Sequence, residues 1–314
     1  MNAMNRPGPV RVAAVDCGTN SLRLLIADVD REAGRLTDVS RQMEIVRLGQ
    51  GVDATGRLAP EPLARTLRAL EAYARAIDDA AACRVRMVAT SATRDAANAA
   101  EFIRGVTGIL GVPPEVLSGD EEARLSFTGA TAELGADHRP PHLVVDIGGG
   151  STEFVLGTGE PEAALSVDIG CVRMTERHLH ANPPLPGEVA AATADVDAAL
   201  DVVAAKVPVT TARTLIGLAG SVTTVAAIAL GLPAYDPARI HLARIPASQV
   251  SQIARDLLGQ DYRQRAAIPV MHPGRIDVIG AGALVLDRVL ARFGFADVVA
   301  SEHDILDGIA WSIA

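Results

Sequence analysis

Lysine is almost missing from this chain: Lys206 stands alone against 28 arginines among 314 residues. No G-K-[ST] segment exists, and a Walker-type phosphate loop is thereby excluded. Aromatic residues make up only 3% of the sequence, too few to build stacking platforms for single-stranded nucleic acid. The three cysteines, Cys17, Cys83 and Cys171, lie 66 and 88 positions apart and form no C-x-x-C pair. They speak against a zinc knuckle and for a reducing compartment, so the cytoplasm is the expected location. Positive charge is in deficit, with a net charge of -9, which argues against a general nucleic-acid partner. Residues 1–11 are polar, contain two prolines and lack the apolar stretch of a secretory signal; they read as a short lead-in. One uncharged run, Thr214 to Tyr235, has the 22 residues a bilayer span needs. Its small residues Gly217, Gly220, Ser221, Thr223 and Thr224, with Pro233 at its end, instead split it into buried strand, turn and buried helix. No membrane partner is expected.

What is present is a chain long enough for about two domains, with 49% apolar and 21% charged residues, the composition of an ordered globular protein. Apolar runs at 12–15 and 22–29 read as strands around the turn Asp16–Ser21. Further strands are expected at 85–89, 115–117, 143–145, 152–156, 164–169, 214–218 and 297–300. Leu63, Leu67, Leu70 and Ile77 mark an amphipathic helix after Pro60 and Pro62. Other helices are expected at 95–110, 121–133, 172–180, 187–206, 222–230, 247–259, 276–293 and 304–313. The alternation makes the class α/β. An internal echo organises it: Asp16-x-Gly18-x-x-Ser21 recurs 130 residues later as Asp146-x-Gly148-x-x-Ser151, with apolar strands on both flanks each time. Duplication predicts two similar domains facing each other, 1–136 and 137–314, divided where residues 134–141 break the pattern.

Glycine at a strand corner permits positive φ, so successive N–H groups of a turn can face one concavity and hold an anion without lysine. Gly148, Gly149 and Gly150 with Ser151 fit that role, and Gly18, Thr19, Asn20 and Ser21 fit it in the first copy; a plain tight turn is the alternative. An aspartate beside each turn would repel a phosphate unless a cation lay between, which points to Mg²⁺ on Asp146, with Asp16 holding the same ion or its waters from the opposite hairpin. A third loop, containing Gly220, Ser221 and Thr223, opens a helix whose free N–H groups favour phosphate. Ser118 and Glu121 have capping-box spacing, which leaves Glu122 free either to enter a cleft or to sit on the surface. Arg94, at a strand end, is placed to reach phosphate or to pair with Asp95. His178-x-His180 has the wrong spacing for metal ligation from one helix face. Between Arg239 and Arg275, six arginines against two aspartates make a basic strip that either guides a polyanion or is a solvated face. Glu302-His303-Asp304 reads as the opening of the last helix.

Taken together, Val15–Ser21, Ala89–Asp95, Leu117–Leu125, Val145–Phe154, Ala219–Thr224 and Arg275–Leu284 resemble the motifs of the exopolyphosphatase and guanosine pentaphosphate phosphohydrolase family, in order and over nearly the whole chain. The resemblance implies two duplicated actin-like domains of the sugar-kinase, Hsp70 and actin superfamily (ribonuclease H-like) flanking a cleft, with room for the last helix, about 303–314, to pack back on the first domain. It implies Glu122 as the water-activating residue, Asp146 and Glu153 as carboxylates for metal and phosphate, and Arg94 as a phosphate contact. The expected reaction is release of terminal orthophosphate from inorganic polyphosphate with Mg²⁺ or Mn²⁺, by a cytoplasmic homodimer. Three alternatives stand beside it: hydrolysis of guanosine pentaphosphate, with a link to the stringent response; an ATP-dependent kinase of the same fold; and a non-catalytic sensor of polyphosphate or of guanosine penta- and tetraphosphate. Lacking room for an additional HD-type region, the chain looks like the short two-domain form, with short polymers as its expected substrates. Its closing segment Ser301–Gly308 departs from the common G-L-R-E-G ending and lacks the arginine.

Overall fold

The computed structural model describes residues 8–132 and 134–314; residues 1–7 of the expected lead-in, and Glu133 at the end of the helix expected over 121–133, lie outside them. The chain opens with an antiparallel meander: β1 (Val10–Cys17), β2 (Ser21–Asp30) and β3 (Arg35–Ile45). The short helix α1 (Val52–Thr55) and the long α2 (Pro60–Asp79) lead to β4 (Arg84–Ala89), which lies parallel beside β1. Next come α3 (Ser91–Arg94), α4 (Ala99–Leu110), the two-residue β5 (Glu115–Val116) and α5 (Gly119–Thr131), giving a five-stranded sheet in the order β3-β2-β1-β4-β5.

The second half repeats the plan. Strands β6 (His142–Ile147), β7 (Thr152–Gly157) and β8 (Pro161–Val167) form the meander, followed by α6 (Cys171–His178) and α7 (Pro186–Lys206). Strand β9 (Thr214–Leu218) lies parallel beside β6 and runs into α8 (Ala219–Ala229). After α9 (Pro237–Ile240), β10 (Arg244–Pro246), α10 (Ala247–Gly259), α11 (Tyr262–Ala266) and α12 (Ile279–Phe293), strand β11 (Asp297–Ala300) and α13 (Ile305–Ile313) end the chain. The six-stranded order β10-β11-β9-β6-β7-β8 contains the first sheet's order within it: β8, β7, β6, β9 and β11 take the places of β3, β2, β1, β4 and β5. The α/β class and the duplication expected from the Asp-x-Gly-x-x-Ser echo are both present.

Strand period places alternate residues on opposite faces. On β1, Ala13, Val15 and Cys17 pack with the buried face of α2 and α4, while Val12 and Ala14 pack with Ile305, Leu306, Ile309 and Ala310 of α13. On β6, Leu143, Val145 and Ile147 join the large core that includes α7, α8, α10 and α12, while Val144 packs with Ala123, Phe127 and Ala130 of α5. The helix that ends each half therefore covers the sheet of the other. Where α5 and α13 cross, a Cβ on Gly129 would run into the carbonyl of Asp304, and one on Gly308 into the carbonyl of Leu125.

Several expected elements shift. The helix expected over 95–110 starts late: α3 ends before it at Arg94, α4 begins only at Ala99, and Asn98 just ahead of α4 is held by Leu58, whose N–H its Oδ1 accepts at 2.8 Å. The buried face of α2 is Pro62, Thr66, Leu70, Tyr73 and Ile77, with Leu63 and Leu67 only partly covered. Strand β3 was not expected, because this edge strand is mostly exposed and carries no apolar run to mark it. Segment 214–235 is the buried strand, turn and helix foreseen, and no helix among the described residues is long and apolar enough to cross a membrane.

Adding a methyl group at the helix crossing forces two backbones apart, and overpacking of this kind costs about 1–3 kcal/mol. Gly129→Ala and Gly308→Ala should each lower the denaturant midpoint accordingly, whereas Gly159→Ala, with open space around it, should not.

Candidate active site

The β1–β2 and β6–β7 turns open onto one crevice of about 570 Å³, so Asp16 and Asp146 share it. The turns match in detail. Gly18 N–H donates to Ser21 O at 2.9 Å, and Gly148 N–H to Ser151 O at 3.1 Å. The following carbonyls are tied back from behind. Thr19 O accepts from Gly49 N–H (2.9 Å), and Asn20 O from Val46 and Arg47 (3.0 and 2.8 Å); Gly149 O accepts from Val172 and Arg173 (2.8 and 3.1 Å), and Gly150 O from Gly170 (3.2 Å). In a trans peptide the N–H points opposite to the C=O. Drawing these carbonyls back directs the N–H groups of Asn20, Ser21, Gly150 and Ser151 away from the segments that hold them, the arrangement of an anion-binding nest. Side chains are excluded where the turns meet, since a Cβ on Gly149 would lie 2.9 Å from Thr19 Cβ.

The copies differ in charge. Asp16 faces Arg23 across the β1–β2 register and accepts from its Nη2 at 2.8 Å and its Nε at 3.1 Å. The same guanidinium binds Asp304, the N-cap of α13. At the equivalent place in β7, Asp146 faces Glu153 instead. Asp146 accepts from Ser126 Oγ at 2.8 Å and Glu153 from Ser166 Oγ at 2.7 Å. Burial, and then the field of Asp304, pushes the Asp146 carboxyl up to about 6; burial and Asp146 push Glu153 up to about 7.

Glu122 enters from α5. Ser118 and Glu121 close the expected capping box: Ser118 Oγ accepts from Glu121 N–H at 3.2 Å, and Glu121 Oε2 accepts from Ser118 N–H at 3.1 Å. That fixes the first turn of the helix and leaves Glu122 aimed into the crevice, 9% exposed. Burial, Glu153, Asp16 and Asp146 hold its carboxyl well above the ordinary range, opposed by Arg94, whose Nη1 lies 3.3 Å away. Ser126, one turn further along the same helix, is the donor to Asp146.

The β9–α8 corner supplies the third expected loop, and Gly220, Ser221 and Thr223 line the crevice. Ala219 turns it with a φ of +65°, a strained backbone for a residue with a side chain. The Arg275 guanidinium lies directly on Gly220, where any Cβ would collide with it, and donates to Thr224 Oγ1 at 3.1 Å. Past Arg275 the wall becomes apolar, with Met43, Ile45, Val270, Met271 and Val278. The Tyr235 hydroxyl lies 2.7 Å from Thr223 Oγ1 and 2.6 Å from Glu302 Oε1.

Of the expected residues, Asp16, Gly18, Thr19, Asn20, Ser21, Glu122, Asp146, Gly148, Gly149, Ser151, Gly220, Ser221 and Thr223 all line the crevice. Gly150, Glu153 and Arg94 do not. Gly150 packs against Ser91 and Thr19, Glu153 sits behind Asp146 with 1% exposure, and Arg94 stands behind Glu122, donating to Leu117 O at 2.8 Å. Asp95 pairs with Arg173 rather than with Arg94. The basic strip does not assemble as one track: of its six arginines only Arg275 lines the crevice, while Arg244 pairs with Asp297 and Arg265 is buried against Asn182. The crevice takes its other arginines, Arg23 and Arg41, from β2 and β3, and Asp304 does more than open a helix. An arginine two residues after the first turn's serine was the available signal for Arg23; Arg41, on the unforeseen β3, had none. His178 bonds Asp195 at 2.8 Å, away from the site.

Among the described residues no three or more His, Cys, Asp or Glu side chains gather as a closed metal cage. Mg²⁺ does not need one, since it uses one or two carboxylates and completes its shell with waters and phosphate oxygens. Asp16 and Asp146, which share the crevice, could serve as such a pair, and Asp16 Oδ1 is buried with no hydrogen-bond partner among the described residues.

A model of the Ppx/GppA phosphatase family matches residues 25–314. The chain is similar to exopolyphosphatase 2 of Mycobacterium tuberculosis, with 52% identity over 97% of this chain and 98% of that protein. The crystal structure of an exopolyphosphatase-like protein superposes with a TM-score of 0.94 at 43% identity, covering 98% of each chain. That of the Aquifex aeolicus Ppx/GppA family member superposes with a TM-score of 0.79 at 29% identity, covering 96% and 97%.

Because Glu153 holds its proton more tightly in the folded chain than in the unfolded one, its contribution to stability is complete below about 4.5 and is lost as the pH rises through about 7. Glu153→Gln removes that titration. Measured without divalent cation, the stability of this variant relative to the native chain should climb between those two pH values; a flat difference in thermal melts would show that Glu153 carries no buried charge.

Proposed function

The chain belongs to the Ppx/GppA phosphatase family, and on that premise we propose that it is an exopolyphosphatase, releasing terminal orthophosphate from inorganic polyphosphate by attack of water. The observation that carries this reading is the position of Glu122, buried and with its proton affinity raised, between two turns whose backbone N–H groups are free to take anionic oxygens. A water beside Glu122 gives its proton to that carboxylate as its oxygen bonds the terminal phosphorus. The bridging P–O bond opposite breaks, and the chain leaves one unit shorter. A carboxylate with raised proton affinity is a stronger base than an exposed one, and Arg94 orients it while keeping it ionised. The N–H groups of both turns, the hydroxyls of Thr19, Ser21 and Ser151, and Arg23 and Arg275 face the oxygens of the chain. Asp146 and Asp16 would hold Mg²⁺ or Mn²⁺, which when bound neutralises charge on phosphate oxygens. Glu153 acts through Asp146, its neighbour across the strand pair.

In this reading the lobes are 1–136 and 137–314, the protein is a cytoplasmic homodimer, and short polymers are preferred. Water is the acceptor, as suits a phosphatase family, and this sets aside a kinase or a non-catalytic sensor. Hydrolysis of guanosine pentaphosphate, with its link to the stringent response, is a second reading. The apolar wall at Met43, Ile45 and Met271 supports it, since a nucleoside can use such a surface and a bare polyphosphate cannot.

Phosphate release from short polyphosphate, long polyphosphate, guanosine pentaphosphate and ATP, with and without divalent metal, ranks the substrates. No release from any of them removes the proposal. Glu122→Gln should lower kcat by ~10²–10⁴, the usual worth of a general base, with polyphosphate binding nearly intact; parallel loss of both would make Glu122 a binding residue.

A further inference from the structure

Arg173 on α6 is never nearer to the chemistry than the back of the phosphate-binding turn, yet three of its nitrogens are committed. Its Nε donates to Gly150 O at 2.7 Å, its Nη1 to Asp53 Oδ1 at 2.5 Å and its Nη2 to Asp95 Oδ2 at 2.5 Å. The first partner belongs to the β6–β7 turn of the second half; the other two belong to α1 and to the C-terminal end of α3 in the first half. Its side chain is 13% exposed.

Each contact bears on a different part of the site. Gly150 O is one of the carbonyls whose retention directs the turn's N–H groups away from α6; the N-terminal N–H groups of α6 hold the rest, with Cys171 on Gly148 O at 2.9 Å and Val172 on Gly149 O at 2.8 Å. Asp95 adjoins Arg94, the partner of Glu122. Asp95 N–H also donates to the carbonyl of Ser91, whose hydroxyl lies 2.8 Å from Thr19 Oγ1 in the first turn. One planar guanidinium can satisfy all three acceptors only when the two halves stand at this separation, because its donors form a rigid fork.

We propose that Arg173 is a positioning residue that couples closure of the crevice to the orientation of the Gly148–Ser151 turn and of Arg94. The proposal rests on the phosphate-handling reading of the site given above. When the halves part, Arg173 loses Asp53 and Asp95 together, and the carbonyl of Gly150 and the base of Arg94 lose a common restraint. Around it the ion network crosses the same seam. Arg177 donates to Asp53 at 3.0 Å and to Asp195 at 3.0 Å, Asp168 lies 3.8 Å from Arg173, and Glu176 accepts from Gly51 N–H at 3.1 Å. Among the described residues, Arg173 is the side chain that joins that network to the Gly148–Ser151 turn.

The test compares Arg173→Met, Arg173→Lys and Asp95→Asn in the full chain, with tripolyphosphate as probe. Arg173→Met should lower kcat at least tenfold, and in the Glu122→Gln background, where the probe persists, it should weaken calorimetric binding at least tenfold. Arg173→Lys should fall between, because an ammonium cannot hold three acceptors in a fork. Small-angle scattering should record contraction on adding tripolyphosphate to Glu122→Gln and less of it when Arg173→Met is added. Asp95→Asn, at a more exposed position, should lower kcat/KM in the same direction, and the double variant should lose less than the sum of the singles. Unchanged kcat, binding and contraction in Arg173→Met, or additive losses with Asp95→Asn, would overturn the coupling. Should Arg173→Met not fold, Asp95→Asn alone decides, and an unaltered kcat/KM counts against the proposal. If the native chain releases no phosphate, the proposed activity falls, while binding and contraction still judge Arg173.

Discussion

Five carboxylates, Asp16, Glu122, Asp146, Glu153 and Asp304, are each at least nine-tenths buried around one crevice, and their mutual repulsion is the constraint that the site is built to manage. Two guanidinium groups face them: Arg23 between Asp16 and Asp304, and Arg94 on Glu122. Among the described residues Asp146 and Glu153 have serine hydroxyls but no guanidinium as hydrogen-bond partners, and burial first, then the neighbouring carboxylates, raises their proton affinity. Isolated charges in such surroundings are costly and take up protons instead. A cation bound among them would relieve that excess of negative charge.

Duplication supplied the frame on which that imbalance is set. The two meanders, their parallel partners and even the hydrogen bonds that tie back the turn carbonyls are repeated. Divergence is concentrated where the copies must differ. Arg23 neutralises the aspartate of the first hairpin, and Glu153 doubles the charge of the second. Thr19 and Asn20 fill the first turn, and Gly149 and Gly150 leave the second open for them to pack against.

The crossing helices place the remaining groups. Since α5 leaves the first half to cover the second sheet, Glu122 and Ser126 are delivered to Asp146 from across the crevice. Since α13 does the reverse, Asp304 and Asp307 meet Arg23 and Arg41 of the first sheet. Both arrangements depend on glycine at the crossing, where carbonyls of one helix lie where a Cβ of the other would be.

Local pattern in the sequence determined the α/β class, most strands and helices, the duplicated turns and the capping box that frees Glu122, because each depends on residues within a few positions of one another. Strand β3 escaped, since an exposed edge strand needs no apolar alternation, and so did the late start of α4 after Asn98, whose partner Leu58 lies 40 residues away. Only the tertiary structure decided which charges meet. Arg23 and Asp304 are 281 residues apart in sequence, and Arg173 and Asp95 are 78 apart. Nothing local encodes those distances, because they follow from how two sheets exchange their covering helices and how far apart the lobes then stand.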